Sequence, residues 1–208
     1  MIDEVKHIVD VIRNGGVVLM QVDTIFGLIC DGLNNEAIVK VENIKHRIKP
    51  SFGFFVRDMN IAKKYAIMSD VQEKCFKTVF PGYFTLILQA SALSIRNLES
   101  RTLGEVNGIK TIGLRVPKND FCLQVLDFFK TPLVATSANI SGKKTATKFE
   151  EIDDEIINSV DAIYYNKNIS IAGLSSTIVD ITDILNYRVI RDGSGNINIF
   201  KESVFGKN

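Results

Sequence analysis

Short apolar runs and helix-spaced apolar residues take turns along almost the whole chain, and this interleaving restricts the fold more than any other feature. Val5, Ile8, Val9 and Ile12 recur at helical spacing and are stopped by Asn14-Gly15-Gly16, so residues 4–13 read as a helix. Val17 to Met20 reads as a buried strand, and Thr24-Ile25-Phe26-Gly27-Leu28-Ile29-Cys30-Asp31 turns and continues. Asn34-Asn35 caps a helix carried by Ile38, Val41 and Ile44. Further strands are expected at 52–56, 84–89, 111–116 and 133–136. Further helices are expected at 61–66, 71–80 and 120–129, with Pro81-Gly82 as a break. An acidic helix follows at 148–157, then short strands at 162–165, 177–181, 188–190 and 197–200. The order lacks a strict strand–helix–strand beat, so the expected fold class is α/β with a twisted mixed sheet flanked by helices. Residues 91–108 show no clear pattern and read as a mobile loop. No repeat or low-complexity linker divides residues 1–208, so a single domain is expected.

Composition excludes several classes. With 46% hydrophobic and 24% charged residues the chain is of ordinary globular composition, neither disordered nor fibrous. No apolar run approaches the ~20 residues that span a bilayer, and no basic region followed by an apolar stretch opens the chain. Membrane partners are not expected. Three scattered cysteines, Cys30, Cys75 and Cys122, form no Cys-x-x-Cys pair, which favours a reducing, cytoplasmic setting over a disulfide framework. His7 and His46 are the only histidines, too few for a histidine-based metal cage, so no protein-held metal is expected. Lys plus Arg number 25 against 24 Asp plus Glu, but the charges are unevenly spread. Residues 45–64 are basic and residues 150–161 acidic, which leaves room for a basic surface and an anionic ligand.

Four places put polar residues beside small ones where an α/β fold gathers ligands, at strand ends and after a helix. They are Asp23-Thr24-Ile25-Phe26-Gly27-Leu28, Lys45-His46-Arg47, Thr136-Ser137-Ala138-Asn139-Ile140-Ser141-Gly142, and Ser175-Ser176-Thr177 with Arg191-Asp192-Gly193 one strand later. Lys45 and Arg47 suit a polyphosphate, because two cations converge and a guanidinium adds bidentate oxygen recognition. Ser137 and Asn139 offer a hydroxyl and an amide to phosphate or carboxylate oxygens without adding charge. Neither a Gly-x-x-x-x-Gly-Lys-Ser/Thr loop nor a Gly-x-Gly-x-x-Gly fingerprint is present. Each feature alone has an ordinary structural explanation as a solvated helix end or a capped turn. Their order and spacing together are far more specific.

That ordered series, extended by Pro81-Gly82-x-x-Thr85, Thr111-Ile-Gly-Leu-Arg115-Val-Pro117, Ser176-Thr177-Ile178-Val179-Asp180 and Arg191-x-Gly193, resembles the YrdC/Sua5 family from about residue 9 to about 200. The resemblance implies a YrdC-like sheet with a basic concave face and a threonylcarbamoyl-AMP synthase activity. Such an enzyme joins L-threonine, bicarbonate and ATP, with Mg2+ on the phosphates, and releases pyrophosphate. The product serves the t6A modification at adenosine 37 of tRNA through a partner transferase machinery, and weak tRNA binding is a further possibility. The chain length resembles the short form without a C-terminal second domain. By matching positions, Lys45 and Arg47 would be catalytic. Thr24, Arg115, Ser137 and Ser176 would surround the threonine, with Arg115 on its carboxylate. Arg47, Ser51, Thr111, Asn139 and Arg191 would contact ATP.

Departures from the family pattern are local. The first motif usually reads Pro-Thr-Asp/Glu-Thr-Val-Tyr-Gly-Leu, whereas Gln21-Val22 stand for Pro-Thr and Phe26 for Tyr. After Lys-x-Arg, Ile48-Lys49-Pro50-Ser51-Phe52 is either one residue short of the family's Pro-x-x-Lys-Pro-Leu or puts Ser51 where Lys is usual, and no His follows, with Phe55 or Val56 near its place. Two rival readings are a carbamoyl-transfer domain and an RNA-binding module without catalysis. The basic run would suit the second, although it lacks interleaved exposed aromatics.

Overall fold

The computed structural model describes residues 2–46 and 52–206; Arg47 and Ser51 lie outside the described residues. The chain runs α1 (Ile2–Arg13), β1 (Val18–Gln21), β2 (Phe26–Asp31), α2 (Asn35–Ile44), β3 (Gly53–Phe55), α3 (Met59–Tyr65), β4 (Ala66–Ile67), α4 (Asp70–Val79) and β5 (Phe84–Ala90). It continues through α5 (Ala92–Asn97), β6 (Gly104–Val106), β7 (Ile109–Arg115), α6 (Asp120–Leu126), β8 (Leu133–Ser137), α7 (Asp154–Ser159), β9 (Ala162–Tyr164), β10 (Thr177–Asp180), β11 (Arg188–Arg191) and α8 (Ile197–Phe205). The strands form one mixed sheet in the order β11-β10-β5-β7-β3-β8-β2-β1-β9, with β4 beside β5 and β6 beside β7. Parallel pairs β3·β7, β5·β10 and β1·β9 sit among antiparallel ones.

Period-two alternation sends successive side chains to opposite faces of this sheet. Leu19, Leu28, Phe54, Leu86, Leu88, Ile112 and Leu114 enter one apolar layer with Ile38 and Val41 of α2, Phe76 of α4, Ile156 of α7 and Phe200 of α8. Val18, Met20, Ile29, Phe55 and Leu133 enter a second layer with Val5, Ile8, Val9 and Ile12 of α1 and Phe121, Cys122, Val125 and Leu126 of α6. The second layer serves mainly the β9, β1, β2 and β8 side. Towards β7, β5 and β10 no helix of the described residues joins that layer, and there a cavity opens.

Local signals explain where the helices start. Asn34, Asp58 and Asn119 accept from the third backbone N–H beyond them, and Ser69 with Gln72 closes a reciprocal capping box. Four expectations need correction. Residues 197–200 are not a strand but the start of α8, because Ile197, Phe200 and Val204 lie at helical spacing against the first layer and Asn196 caps them. Residues 148–157 do not make one helix; a 3-10 turn at Phe149–Glu151 precedes α7, whose cap is Asp153. Residues 91–108 are ordered: Ser91 caps α5, a 3-10 turn follows at Ser100–Thr102, and β6 and β7 form a hairpin. Its two-residue turn is Asn107-Gly108, both at positive φ (50° and 77°), the conformation that the Asn-Gly pair favours in tight hairpins. The helix expected at 120–129 ends at Leu126.

Candidate functional site

The uncovered face of the sheet holds a cavity of about 440 Å³, within the range of small-molecule sites. Its floor follows from the strand register. Ile87, Gly113, Gly53, Ala135 and Ile29 stand directly opposite one another across β5, β7, β3, β8 and β2, and all five line the cavity. The three central positions carry at most a methyl group, so the sheet backbone itself is the floor and the two isoleucines are its banks. Thr24, Lys45, Thr111, Arg115, Ser137, Asn139, Ser176 and Arg191 all line this cavity. Every sequence-predicted site residue among the described ones is thus brought together.

Two polar clusters face the cavity. In the first, Arg115 is buried and donates from Nη2 to Asp23 Oδ1 (2.7 Å), from Nη1 to Thr24 Oγ1 (3.0 Å) and from Nε to the Gly82 carbonyl (3.3 Å). The Phe55 ring, near where the family pattern would have a histidine, lies 5.6 Å from the guanidinium carbon. Burial lowers the Arg115 pKa, and Asp23 pulls it back up. Arg191 donates to the Ser176 carbonyl at 2.8 and 3.1 Å and to Ser176 Oγ at 3.2 Å; that hydroxyl is in turn 2.8 Å from Thr85 Oγ1. Burial lowers the Arg191 pKa too, and the positive charge of Arg115 adds to the effect, so the two guanidinium groups feel each other across the cavity. No acidic partner offsets Arg191 among the ion pairs of the described residues, whereas Asp23 offsets Arg115.

The second cluster is built around Lys45, only 3% exposed at the end of α2. Its Nζ donates to the carbonyl oxygens of Ser137 (2.5 Å) and Asn139 (2.8 Å), while its own carbonyl accepts from Ser141 N–H (3.0 Å). Ser137 Oγ donates to Asn139 Oδ1 at 2.5 Å. The lysine therefore pins the turn after β8 and puts its charge at the cavity edge. Next along the chain His46, at φ 51°, pairs with Glu155 at 2.7 Å. Thr111 is almost fully buried, and its hydroxyl has no partner among the described residues.

Sequence reasoning left out Asp23 and Thr85 as site residues. Both lie inside motifs it quoted, but their roles come from contacts to Arg115 and Ser176, each 91 or 92 residues away. Gly82 belongs to the same frame: a Cβ there would meet the Val79 carbonyl at 2.3 Å, so only glycine lets its own carbonyl reach Arg115. Among the described residues no group of three or more His, Cys, Asp or Glu side chains gathers to hold a metal. None of their helices is long and apolar enough to cross a membrane.

The family model Sua5_yciO_yrdC, described as "Telomere recombination", matches residues 10–193. The chain belongs to that family. Among Sua5/YciO/YrdC relatives, a Methanocaldococcus jannaschii protein provisionally named threonylcarbamoyl-AMP synthase is 33% identical over 153 residues, covering 73% of this chain and 68% of that protein. Escherichia coli YciO, named an uncharacterized protein, is 27% identical over 198 residues, covering 94% and 92% of the two chains. Its crystal structure superposes with a TM-score of 0.79 over 95% of this chain and 93% of that one. Pyrococcus abyssi Sua5 complexed with L-threonine has the same fold, with a TM-score of 0.84 at 22% identity over 98% of this chain. This chain spans 57% of that larger structure.

Proposed function

We propose that the cavity joins L-threonine, bicarbonate and ATP into threonylcarbamoyl-AMP, with release of pyrophosphate, for the t6A modification of tRNA. The observation that carries this reading is the convergence on one backbone-floored cavity of eight residues drawn from six separate stretches of chain. Relatives named threonylcarbamoyl-AMP synthase, and a related fold that holds L-threonine, support it.

The chemistry asks for placement and charge. The threonine amine and bicarbonate condense to a carbamate with loss of water. A carbamate oxygen then attacks the α-phosphorus, the bond to the β-phosphate breaks, and pyrophosphate leaves with the electron pair. No enzyme nucleophile is needed, so the protein acts by holding two anions in contact and offsetting the charge that develops. Arg191 and Lys45, with Arg47, supply that positive charge. Arg115 serves differently. Asp23 already neutralises it, and three of its five N–H groups are committed to Asp23, Thr24 and Gly82, so it offers direction to the threonine carboxylate rather than net charge. Thr24, Ser137 and Ser176 border the amino acid, and Thr111 and Asn139 the nucleotide. Mg2+ would come with ATP rather than on a protein cage, and would supply further positive charge as pyrophosphate leaves.

The test is pyrophosphate release from ATP with bicarbonate and Mg2+, with and without L-threonine. Threonine-dependent release supports the enzyme. Salt-sensitive RNA binding without release supports the binding module instead.

A further inference from the structure

Gln21 interrupts the family pattern at a position where proline is usual, and the structure gives it a task that proline cannot perform. Its side chain is buried (3% exposed) and both ends of its amide are used. Nε2 donates to the Ile169 carbonyl at 2.8 Å, and Oε1 accepts from Asn166 N–H at 2.9 Å. Both partners lie in the connection 165–176 between β9 and β10, which contains no helix or strand. Two more bonds tie the same connection to the first motif, from Ala172 N–H to the Asp23 carbonyl and from Gly173 N–H to the Thr24 carbonyl, each at 2.9 Å. Of its middle apolar residues Ile171 packs against the first apolar layer, while Ile169 and Leu174 are exposed at 37% and 62%. Its far end carries Ser175 and Ser176 into the cavity wall.

We infer that Gln21 is a positioning residue for the amino-acid end of the cavity: its amide straps the 165–176 connection to the first motif and thereby fixes Ser175 and Ser176 opposite Thr24. The part concerning the amino acid rests on the function proposed above. The strap reaches the cavity beside Asp23, Thr24 and Ser176, and not beside Lys45, Thr111 and Asn139. Loosening it therefore acts on the amino-acid end first and reaches the nucleotide side only through Arg191, which is bonded to Ser176.

Gln21→Met keeps the side-chain length and removes both hydrogen bonds; Gln21→Asn keeps an amide one carbon too short to reach, and guards against a variant that merely fails to fold. Amide hydrogen exchange over 165–176 and calorimetric titrations with L-threonine and with ATP are measured on wild type and both variants. The expected result is faster exchange at Ala172 and Gly173, about tenfold weaker L-threonine binding, on the scale of one or two lost hydrogen bonds, and ATP binding within about twofold of wild type. Unchanged exchange, or threonine and ATP affinities falling together, overturns the role. Unchanged threonine affinity despite faster exchange overturns it too. A wild type that binds no L-threonine refutes the proposed function itself and this role with it, whereas normal wild-type binding that both variants retain refutes this role alone.

Discussion

Replacing Asp23 by alanine separates the structural pair from the substrate-facing charge. Asp23 and Arg115 are 3% and 6% exposed at their side chains and meet at 2.7 Å, and the other Asp23 oxygen accepts from Lys118 N–H at 2.8 Å. Asp23→Ala leaves a buried guanidinium without a counter-charge and a backbone N–H without an acceptor. Breaking one side of such a buried pair costs about 3–5 kcal/mol. For a chain of this size each kcal/mol lowers Tm by roughly 2–4 °C, so a fall of about 6–20 °C is expected in a thermal melt. The double variant Asp23→Ala/Arg115→Met removes both charges and is expected to recover much of that loss, because an apolar replacement of a buried ion pair is often neutral. A Tm drop below about 3 °C in the single variant, or a double variant no more stable than the single one, refutes the account of Arg115 as an internally neutralised donor.

Other outcomes follow from the same geometry. The atoms nearest a Cβ on Gly113 would be Thr85 Cγ2 at 3.4 Å and the backbone of Phe52 and Gly53 at 3.8 and 4.0 Å, so Gly113→Ala is expected to keep the fold while raising the ATP concentration needed for half-maximal pyrophosphate release; unchanged ATP dependence would remove the bare floor from the proposed nucleotide site. Asp180 is buried, which pushes its pKa up, but hydrogen bonds from Arg188 and Thr182 outweigh that and leave it lowered. A lowered carboxylate pKa stabilises above the unfolded value of about 3.9 and loses that contribution as pH falls through the folded value. Arg188→Met should therefore reduce stability at neutral pH and flatten the acid side of a denaturation–pH curve; an unchanged curve contradicts the pairing. Cys30, Cys75 and Cys122 are buried with thiol pKa values raised mainly by that burial, so thiol reagents should label the native protein only as fast as it unfolds.

Much of the molecule is legible in the sequence, for physical reasons that also mark the limits. Val5, Ile8, Val9 and Ile12 define α1 because one apolar stripe meets one layer of the core. The alternation in β7 gives both Ile112 and Leu114 in the core and Thr111, Gly113 and Arg115 in the cavity. The motifs locate the cavity walls because each is a strand end or a turn beside one. Pairwise register is not written locally: the row Ile87–Gly113–Gly53–Ala135–Ile29 exists only once five strands are aligned. Short amphipathic runs are equally ambiguous. Ile197 to Phe200 fits a strand until the later Val204 is seen to share a face with Phe200. The Asn107-Gly108 hairpin goes unread inside the supposed loop 91–108, although that pair is a strong turn signal between two extended runs. The departure at Gln21 looks like a loss in the sequence and becomes a tether in three dimensions.

The central claim is that one cavity brings a nucleoside triphosphate and an amino acid into reacting contact. Incubation with ATP, L-threonine, Mg2+ and carbon-13 bicarbonate, followed by mass spectrometry, tests it directly. The account predicts threonylcarbamoyl-AMP carrying the label in its carbamoyl carbon, formed together with pyrophosphate and lost in Lys45→Ala. ATP breakdown without a labelled adduct, or an adduct formed equally well by Lys45→Ala, would contradict it.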